Sequence, residues 1–342
     1  MNDNITKSLE KLFFHYFGRK PDQIVLLPYG GSSRNYFRLN ATEHSAIGMY
    51  NPDYEENETF LFMSRFFQTE NIPVPSLYLT NLEENVILLE DLGDKTLFSV
   101  FQEIDNHSEK ETILKNLLKK VVSELARIQI IAGRKFDFSK CYAGDEFDKG
   151  AVLFDLDYFR TQFLDRLGYQ YPIKEIQSDF QKLADFVNTA DKNFFMYRDF
   201  QSRNIMIFND KFYFIDYQGG RRGPLQYDLA SLLFQARAGI PENIREEILE
   251  YYLQVIRMYT PILKEDFLRH YYAIALVRVL QTLGAYGLRG LEEKKSHFIQ
   301  SIPFALNNLK ILSGKVDILK DLPVLSEIIS DLKNTKIEDY GR

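Results

Sequence analysis

The strongest structural signal in this chain is the stretch MYRDFQSRNIMIFNDKFYFIDYQGG (196–220). Short apolar runs alternate in it with polar positions, a pattern that predicts strands separated by tight turns. Asp199 and Asn204 stand five positions apart on the loop between the first two runs, and Asp216 stands twelve positions after Asn204 at the expected end of the third run. We therefore expect a β-hairpin with polar groups gathered at its ends.

Two carboxylates and an amide at this spacing suit the transfer of a phosphoryl group. Asp199 can orient the attacking hydroxyl and accept its proton, while the oxygens of Asn204 and Asp216 can hold Mg²⁺, which neutralises charge on the nucleotide phosphates. Each of the three could instead be a turn residue, because Asp and Asn are common in turns. Their joint spacing, and the cost of a carboxylate on an otherwise apolar strand, favour the catalytic interpretation.

The rest of the chain divides into two parts around this stretch. Residues 4–18 and 54–70 are predicted helices, and five short strands are predicted at 23–28, 36–40, 46–50, 76–80 and 86–90. Helical periodicity then dominates at 109–131, 152–168, 174–190 and 225–312. The pattern predicts an α+β protein with a small β-rich N-terminal lobe (1–89), a hinge (90–95) and a large, mainly helical C-terminal lobe (96–342) with an embedded β-hairpin.

Composition narrows the possible partners. With 42 Lys and Arg against 48 Asp and Glu, the net charge is −6, which disfavours nucleic acids and anionic membranes as general partners. The apolar stretch 271–288 is shorter than a bilayer span and carries charge, so no membrane association is expected. The single cysteine, Cys141, excludes an internal disulfide framework and favours the cytoplasm. Oligomeric state stays open.

A second motif is the stretch PYGGSSRNYFRL (28–39) between the first two predicted strands. Backbone N–H groups of a loop rich in glycine and serine can bind phosphate oxygens, and two arginines could add positive charge. A plain hairpin loop explains the same residues equally well. The candidate phosphate-binding residues are Gly30, Gly31, Ser32, Ser33, Arg34 and Arg38.

A third motif is GPLQYDLASLLFQA (223–236), in which Asp228 precedes an apolar helical face. Its carboxylate could cap its own helix. We favour the alternative that it holds the backbone of the catalytic loop in place.

Together these motifs resemble the aminoglycoside phosphotransferase superfamily, which has a protein-kinase-like fold. The matching segments are YRDFQSRN (197–204), FIDYQGG (214–220) and YDLASLL (227–233). The chain is most similar to the anomeric kinases of N-acetylmuramate and N-acetylglucosamine, through the segments SSRNYFRL (32–39), VILLEDLGDKTLF (86–98) and GPLQYDLASLL (223–233).

The resemblance implies roles for individual residues. Asp199 would be the catalytic base and Asn204 and Asp216 the Mg²⁺ ligands, with ATP as the phosphoryl donor. Arg198 and Asp228 would give structural support. The nucleotide would be bound by the loop Gly30 to Asn35 together with Arg38, and by the hinge residues Glu90, Asp91 and Leu92.

One departure from the superfamily concerns the phosphates. Met49 stands near the position where most of these kinases have a lysine, so Arg34 or Arg38 is expected to replace its phosphate contact. Without that lysine, the acids Glu55, Glu56 and Glu58 are expected to be a solvated first helical turn, where they suit the helix dipole.

The resemblance implies a hydroxylated small molecule as acceptor, most specifically C1 of a hexose or N-acetylhexosamine. The segment YQGGRR (217–222) is locally basic, which favours a neutral or anionic acceptor over a cation. A choline, ethanolamine or aminoglycoside kinase and a non-catalytic pseudokinase stay as alternatives, and the choice of ATP over GTP is not fixed. The candidate acceptor-binding residues are Gln201, Arg203, Gln218, Arg221 and Arg222.

Overall fold

The computed structural model describes residues 3–28 and 34–332, which form two compact units. The first unit contains 3–28, 34–102, 139–143 and 203–219, and the second contains the remaining described residues. The sequence predicts two consecutive lobes, whereas the hairpin segment 203–219 packs with the first unit. The predicted phosphate-binding residues Gly30, Gly31, Ser32 and Ser33 lie outside the described residues.

A five-stranded antiparallel sheet forms the core of the first unit, with strand order β1-β2-β3-β5-β4. Its elements are α1 (Asp3–Phe17), β1 (Gln23–Leu26), β2 (Asn35–Ala41), β3 (His44–Tyr50), α2 (Tyr54–Thr69), β4 (Leu77–Asn81), β5 (Val86–Glu90) and α3 (Leu97–Glu103). Helical spacing puts Ile5, Leu9, Leu12 and Phe13 on one face of α1, where they pack on apolar residues of β2, β3 and β5. The predicted strands and helices of this part are confirmed to within a few residues.

The predicted hairpin consists of β7 (Ile205–Phe208) and β8 (Lys211–Phe214). Its two-residue turn, Asn209–Asp210, has positive φ at both positions, as the twist of a tight hairpin requires. The second strand ends at Phe214, so the prediction that Asp216 ends a strand is wrong. Main-chain hydrogen bonds from Ile207 N–H to Lys95 O (2.8 Å) and from Phe214 N–H to Pro73 O (2.8 Å) tie the hairpin into this unit.

The second unit is mainly helical, as the periodicity predicts. Its elements are α4 (Lys110–Ala126), α5 (Lys149–Phe159), α6 (Ile173–Asn188), β6 (Phe194–Met196), β9 (Arg221–Gly223), α7 (Leu225–Leu233), α8 (Glu242–Arg257), α9 (Lys264–Tyr286), α10 (Ser296–Ile299), α11 (Ile302–Ser313) and α12 (Pro323–Leu332). The long helix α9 is buried on nearly all sides and packs against α5, α7 and α11. Its middle, residues 273–280, is fully buried and apolar except for Arg278, as expected for a helix at the centre of a core. None of the helices in the described ranges is long and apolar enough to cross a bilayer.

One strand was not predicted. β6 pairs antiparallel with β9, which begins in the locally basic segment YQGGRR (217–222). A three-residue strand that contains two arginines and a glycine carries almost no periodic signal, so only its partner reveals it.

Close helix packing gives a first prediction. A Cβ atom on Gly287 would lie 1.8 Å from the carbonyl oxygen of Gln162, which is main chain and cannot turn away. Gly287 and Gln162 lie in two π-helical turns, Gly287–Glu292 and Arg160–Leu164, that pack against each other. The backbone must move to admit the extra methyl group, so we expect Gly287→Ala to lower the free energy of unfolding by about 1–3 kcal/mol or more, measured by chemical denaturation. Gly314→Ala is the matched control, since its Cβ would meet nothing closer than 3.9 Å. Equal effects of the two substitutions would contradict this packing argument.

Candidate active site

One buried carboxylate holds the backbone that leads into Asp199. Asp228, which is fully buried in the first turn of α7, accepts hydrogen bonds from the backbone N–H of Tyr197 (2.7 Å) and of Arg198 (2.8 Å). Arg198 has a φ of +78°, in the left-handed region that residues other than glycine rarely adopt. The two bonds to Asp228 stabilise this conformation, so Asp199 follows at a fixed point of the chain.

The same carboxylate is the end of a buried chain of hydrogen bonds. Gln129 lies in the π-helical turn Arg127–Ala132 and donates its amide to Asp228 (2.8 Å), and the hydroxyl of Tyr252 donates to the amide oxygen of Gln129. Burial raises the pKa of Asp228 to about 7, although the two backbone amides and the amide of Gln129 act to lower it. Sequence reasoning missed Gln129 and Tyr252; the available signal was a polar residue inside the apolar run RIQIIA.

Arg198 points its side chain away from solvent. Its guanidinium donates to Asp155 (3.0 Å) and lies over the rings of Phe147 (5.5 Å) and Tyr227 (5.7 Å). Burial by itself would lower its pKa, but Tyr227, Asp155 and Asp199 raise it above the ordinary value. These contacts suit the structural role predicted for Arg198.

The loop after Asp199 has its own anchor in the second unit. The backbone N–H and the hydroxyl of Ser202 both donate to the amide oxygen of Gln235, at 2.9 and 2.7 Å. Gln235 follows α7 immediately after its C-cap residue, Phe234. The loop is therefore fixed by polar side chains on both sides of Asp199.

Asp199 itself has a cationic neighbour. Its side chain is 45% exposed, and one carboxylate oxygen lies 3.6 Å from the guanidinium of Arg278, a buried residue of α9. In the sequence, Arg278 stands in the apolar stretch 271–288, where a core or surface role is the default expectation. The contact with Asp199 is decided by the way α9 packs against α7.

In the first unit, Asn204 comes just before β7 and Asp216 comes two residues after β8, so both lie at the open end of the hairpin. The backbone N–H of Ile215 donates to the carbonyl of Asn204 (3.0 Å), and the amide of Asn204 lies 3.3 Å from a carboxylate oxygen of Asp216. Asp216 has a φ of +67°, and such strain costs about 1–3 kcal/mol and is often retained at functional sites. The hairpin thus brings two of the three predicted catalytic residues together.

A buried arginine faces Asp216. Arg34 contacts a carboxylate oxygen of Asp216 (3.2 Å), the carboxylate of Glu56 and the hydroxyl of Tyr36 (3.4 Å). Glu56 also accepts hydrogen bonds from Asn51 (2.7 Å) and from the hydroxyl of Tyr142 (3.2 Å). Burial would lower the pKa of Arg34, but Tyr36, Asp216 and Glu56 raise it above its usual value. Arg34 is therefore a permanently charged link between a helix acid and the predicted metal ligand.

This link corrects the expectation for the helix acids. Glu56 is largely buried and paired with Arg34, so it is not part of a merely solvated first turn. Met49 is buried in β3 between Tyr36 and Ile87 of the neighbouring strands. Arg34, just before β2, therefore supplies the cation that pairs with this helix acid.

The other predicted nucleotide-binding residues are placed as follows. Arg38 donates hydrogen bonds to two carboxylates of the predicted hinge, Asp91 (3.1 Å) and Asp94 (2.9 Å). The positive charge of Arg38 is therefore already offset. The carboxylate of Glu90 accepts hydrogen bonds from the backbone and hydroxyl of Ser76. Leu92 is buried, and Asn35 opens β2 opposite Tyr50.

The predicted acceptor-binding residues are not all in one environment. Gln218 is buried in the first unit and donates to Asp216 (2.9 Å), whereas Arg203 is exposed and Gln201 is partly buried. Arg221 and Arg222 lie in β9, and the guanidinium of Arg222 lies 4.9 Å from the ring of Phe138. Their roles in acceptor binding stay predictions.

The residues proposed to hold magnesium offer suitable ligands. Mg²⁺ binds oxygen atoms and usually takes one or two carboxylates, with water and phosphate oxygens completing its shell. The amide oxygen of Asn204 and the carboxylate of Asp216 are such donors, and the Asp216 side chain is 43% exposed. Across the described ranges, no group of three His, Cys, Asp or Glu residues could hold a metal by itself.

The motif residues coincide with the span of a known family. The profile of the phosphotransferase enzyme family (APH) matches residues 23–262, well over half of the chain. The chain belongs to this family. It is therefore an enzyme, a phosphotransferase that uses a hydroxyl acceptor, and the predicted resemblance to the superfamily is confirmed.

The chain is similar to a curated kinase over more of its length than the family profile covers. The phosphotransferase is 26% identical over 309 residues to the N-acetylmuramate/N-acetylglucosamine kinase of Neisseria meningitidis, with 87% of this chain and 88% of the relative covered.

Solved structures confirm the predicted fold class. The choline kinase of Cryptosporidium parvum aligns with a TM-score of 0.61 over 95% of this chain and 99% of that chain, at 11% identity. The streptomycin–ATP complex of APH(2″)-IIa aligns with a TM-score of 0.57 over 88% and 96% of the two chains, at 15% identity. The phosphotransferase has the protein-kinase-like fold, with a small antiparallel sheet and a large helical part.

The hydrogen bonds of Asp228 yield a second prediction. Asp228→Asn would turn an amide group toward backbone N–H donors, leaving at least one of them without an acceptor at a cost of about 1–3 kcal/mol. We expect kcat to fall by about tenfold or more, measured on the folded fraction, because the backbone before Asp199 loses its anchor.

Asp179→Ala provides the control, because it too leaves buried backbone N–H groups without an acceptor. Asp179 is also buried in the second unit and accepts two backbone N–H bonds, from Val324 (2.9 Å) and Leu325 (3.0 Å) at the start of α12. We expect it to lower stability to a similar extent and to leave kcat unchanged. If both variants lost stability and neither lost activity, Asp228 would have no role beyond folding.

Proposed function

We propose that this phosphotransferase transfers the γ-phosphate of Mg²⁺-ATP to a sugar, most specifically to the C1 hydroxyl of a hexose or N-acetylhexosamine. The observation that carries the proposal is the similarity over nearly the whole chain to an N-acetylmuramate/N-acetylglucosamine kinase. The polar set Asp199, Asn204 and Asp216 supplies the groups that such a transfer needs. The proposed compartment is the cytoplasm, where a lone thiol such as Cys141 stays reduced.

Each catalytic residue has a defined task in this proposal. The acceptor oxygen forms a bond to the γ-phosphorus as the bond from that phosphorus to the bridging oxygen of ADP breaks, and the hydroxyl proton moves to the carboxylate of Asp199. Asn204 and Asp216 would hold Mg²⁺, which offsets negative charge on the transferring phosphate. Arg34 keeps the Asp216 carboxylate in place through its contacts with Asp216 and Glu56.

The preference for a neutral or anionic acceptor rests on local charge. In the second unit, Asp199 lies beside Arg278, and the neighbouring strand β9 contributes Arg221 and Arg222. A cationic acceptor such as choline would meet positive charge near the base. The similarity to a choline kinase structure at 11% identity shows the fold alone and does not favour choline as the acceptor.

The first experiment on this proposal is Mg²⁺-dependent ADP release from ATP with a panel of acceptors. The panel contains N-acetylglucosamine, N-acetylmuramic acid, glucose, mannose, galactose, choline, ethanolamine and kanamycin. We expect turnover with an N-acetylhexosamine or hexose, loss of turnover in Asp199→Ala, and no loss in Asp317→Ala, an exposed aspartate of the second unit. A C1-deoxy sugar should be inactive if C1 is the acceptor position.

Other outcomes of the panel separate the alternatives. Turnover with choline, ethanolamine or kanamycin alone would keep the catalytic residues and overturn the sugar. Binding of neither ATP nor Mg²⁺ would replace the kinase proposal with a pseudokinase.

The double pairing of Arg34 yields a further prediction. Arg34→Lys keeps the charge but loses the planar fork that can contact Glu56 and Asp216 at once. We expect kcat/KM for Mg²⁺-ATP to fall by about 10- to 100-fold, with most of the protein folded at 25 °C. Arg19→Lys is the matched control, since Arg19 pairs with Asp22 on the surface of the same unit. Unchanged kinetics in Arg34→Lys would show that charge alone is sufficient at this position.

A further inference from the structure

Arg278 is a buried cation that the family motifs do not include. Its side chain is 10% exposed, and three neutral acceptors hold two of its guanidinium nitrogens. Nε lies 3.3 Å from the hydroxyl of Ser231 on α7, and Nη1 contacts Thr282 (3.0 Å) and the amide oxygen of Gln281 on its own helix. The third nitrogen, Nη2, faces the carboxylate of Asp199 at 3.6 Å.

These contacts fix the orientation of the Arg278 guanidinium. A guanidinium stays protonated in proteins, and burying it without an anionic partner is costly. Asp199 is the one carboxylate within 4 Å of Arg278 across residues 3–28 and 34–332. Ser231, Gln281 and Thr282 thus hold the guanidinium so that its remaining nitrogen meets Asp199, the residue proposed to take the acceptor proton.

The reaction creates an electrostatic problem at this carboxylate. A base must lie about 2.6–3.2 Å from the hydroxyl whose proton it accepts, and that hydroxyl approaches a phosphate group with several negative charges. Carboxylate and phosphate therefore repel each other as the new bond forms. A fixed cation on the side of the carboxylate offsets part of this repulsion and limits the orientations that the carboxylate can adopt.

We propose that Arg278 is a positioning residue for Asp199: it orients the carboxylate toward the acceptor hydroxyl and offsets its negative charge against the incoming phosphate. The proposal rests on the proposed role of Asp199 as the base. It does not depend on which sugar is the acceptor, because Arg278 acts through Asp199.

The kinetic test compares Arg278→Met and Arg278→Lys with Arg245→Met. Arg245 is an equally buried arginine of the same unit, and its guanidinium donates to Asn308 (2.8 Å) and lies over the ring of Phe234. With the best acceptor of the panel, we expect Arg278→Met to lower kcat of the folded enzyme by about 10- to 100-fold and to change KM for ATP by less than about twofold. Arg278→Lys should recover part of kcat, and Arg245→Met should leave kcat and KM unchanged.

A purely structural role predicts different kinetics. Arg278→Met would then lose folded protein, as Arg245→Met does, while kcat per folded molecule stayed at the wild-type value. That result, or a Lys variant no better than the Met variant, would overturn the proposal.

A double-mutant cycle on stability tests the contact without any turnover. Asp199→Asn, Arg278→Met and the double variant are compared by the midpoint of denaturant unfolding. If the two side chains interact, the shift in the double variant differs from the sum of the single shifts. Additive shifts would overturn the pairing. An inactive wild type with a non-additive cycle would overturn the proposed function while keeping the contact between Arg278 and Asp199.

Discussion

The contact between the Asp228 carboxylate and the backbone N–H groups of Tyr197 and Arg198 is the constraint on which the second unit's part of the site depends. It stabilises a left-handed backbone at Arg198, which by itself is unfavourable. It also explains why a fully buried carboxylate is tolerated, since Asp228 receives two backbone donors and the amide of Gln129. The position of Asp199 therefore depends on helix packing, because α7 carries the anchor and π-helical residues after α4 carry its partner.

In the first unit, a comparable constraint is centred on Asp216. The hairpin β7–β8 brings Asn204 close to it, and Arg34 connects it to Glu56 on α2. Met49 stands where the resemblance to related kinases would put a lysine, and an arginine just before β2 forms the ion pair with the helix acid Glu56. An ion pair requires charges at the right distance, and the strand that supplies them can differ.

Family membership and substrate choice have different support in this protein. Solved structures at 11–15% identity establish the protein-kinase-like fold, which is shared by a choline kinase and by a phosphotransferase seen in complex with streptomycin and ATP. The acceptor is selected by side chains around the base. For this chain those near Asp199 in the second unit include the guanidinium of Arg278.

The sequence by itself determined the elements and the principal chemical groups. Period-2 and period-3.6 patterns located the five strands of the sheet and the main helices, because these segments are long enough to repeat their apolar spacing. The spacing of Asp199, Asn204 and Asp216 indicated phosphoryl transfer, because that reaction needs a base and Mg²⁺ ligands and these residue types can supply both. Only the tertiary structure revealed β9, the pairing of Arg34 with Glu56, the chain from Tyr252 through Gln129 to Asp228, and the approach of Arg278 to Asp199. The partners in these contacts lie between 22 and 123 residues apart. No local pattern encodes such pairs, since their distance is set by how helices and strands pack.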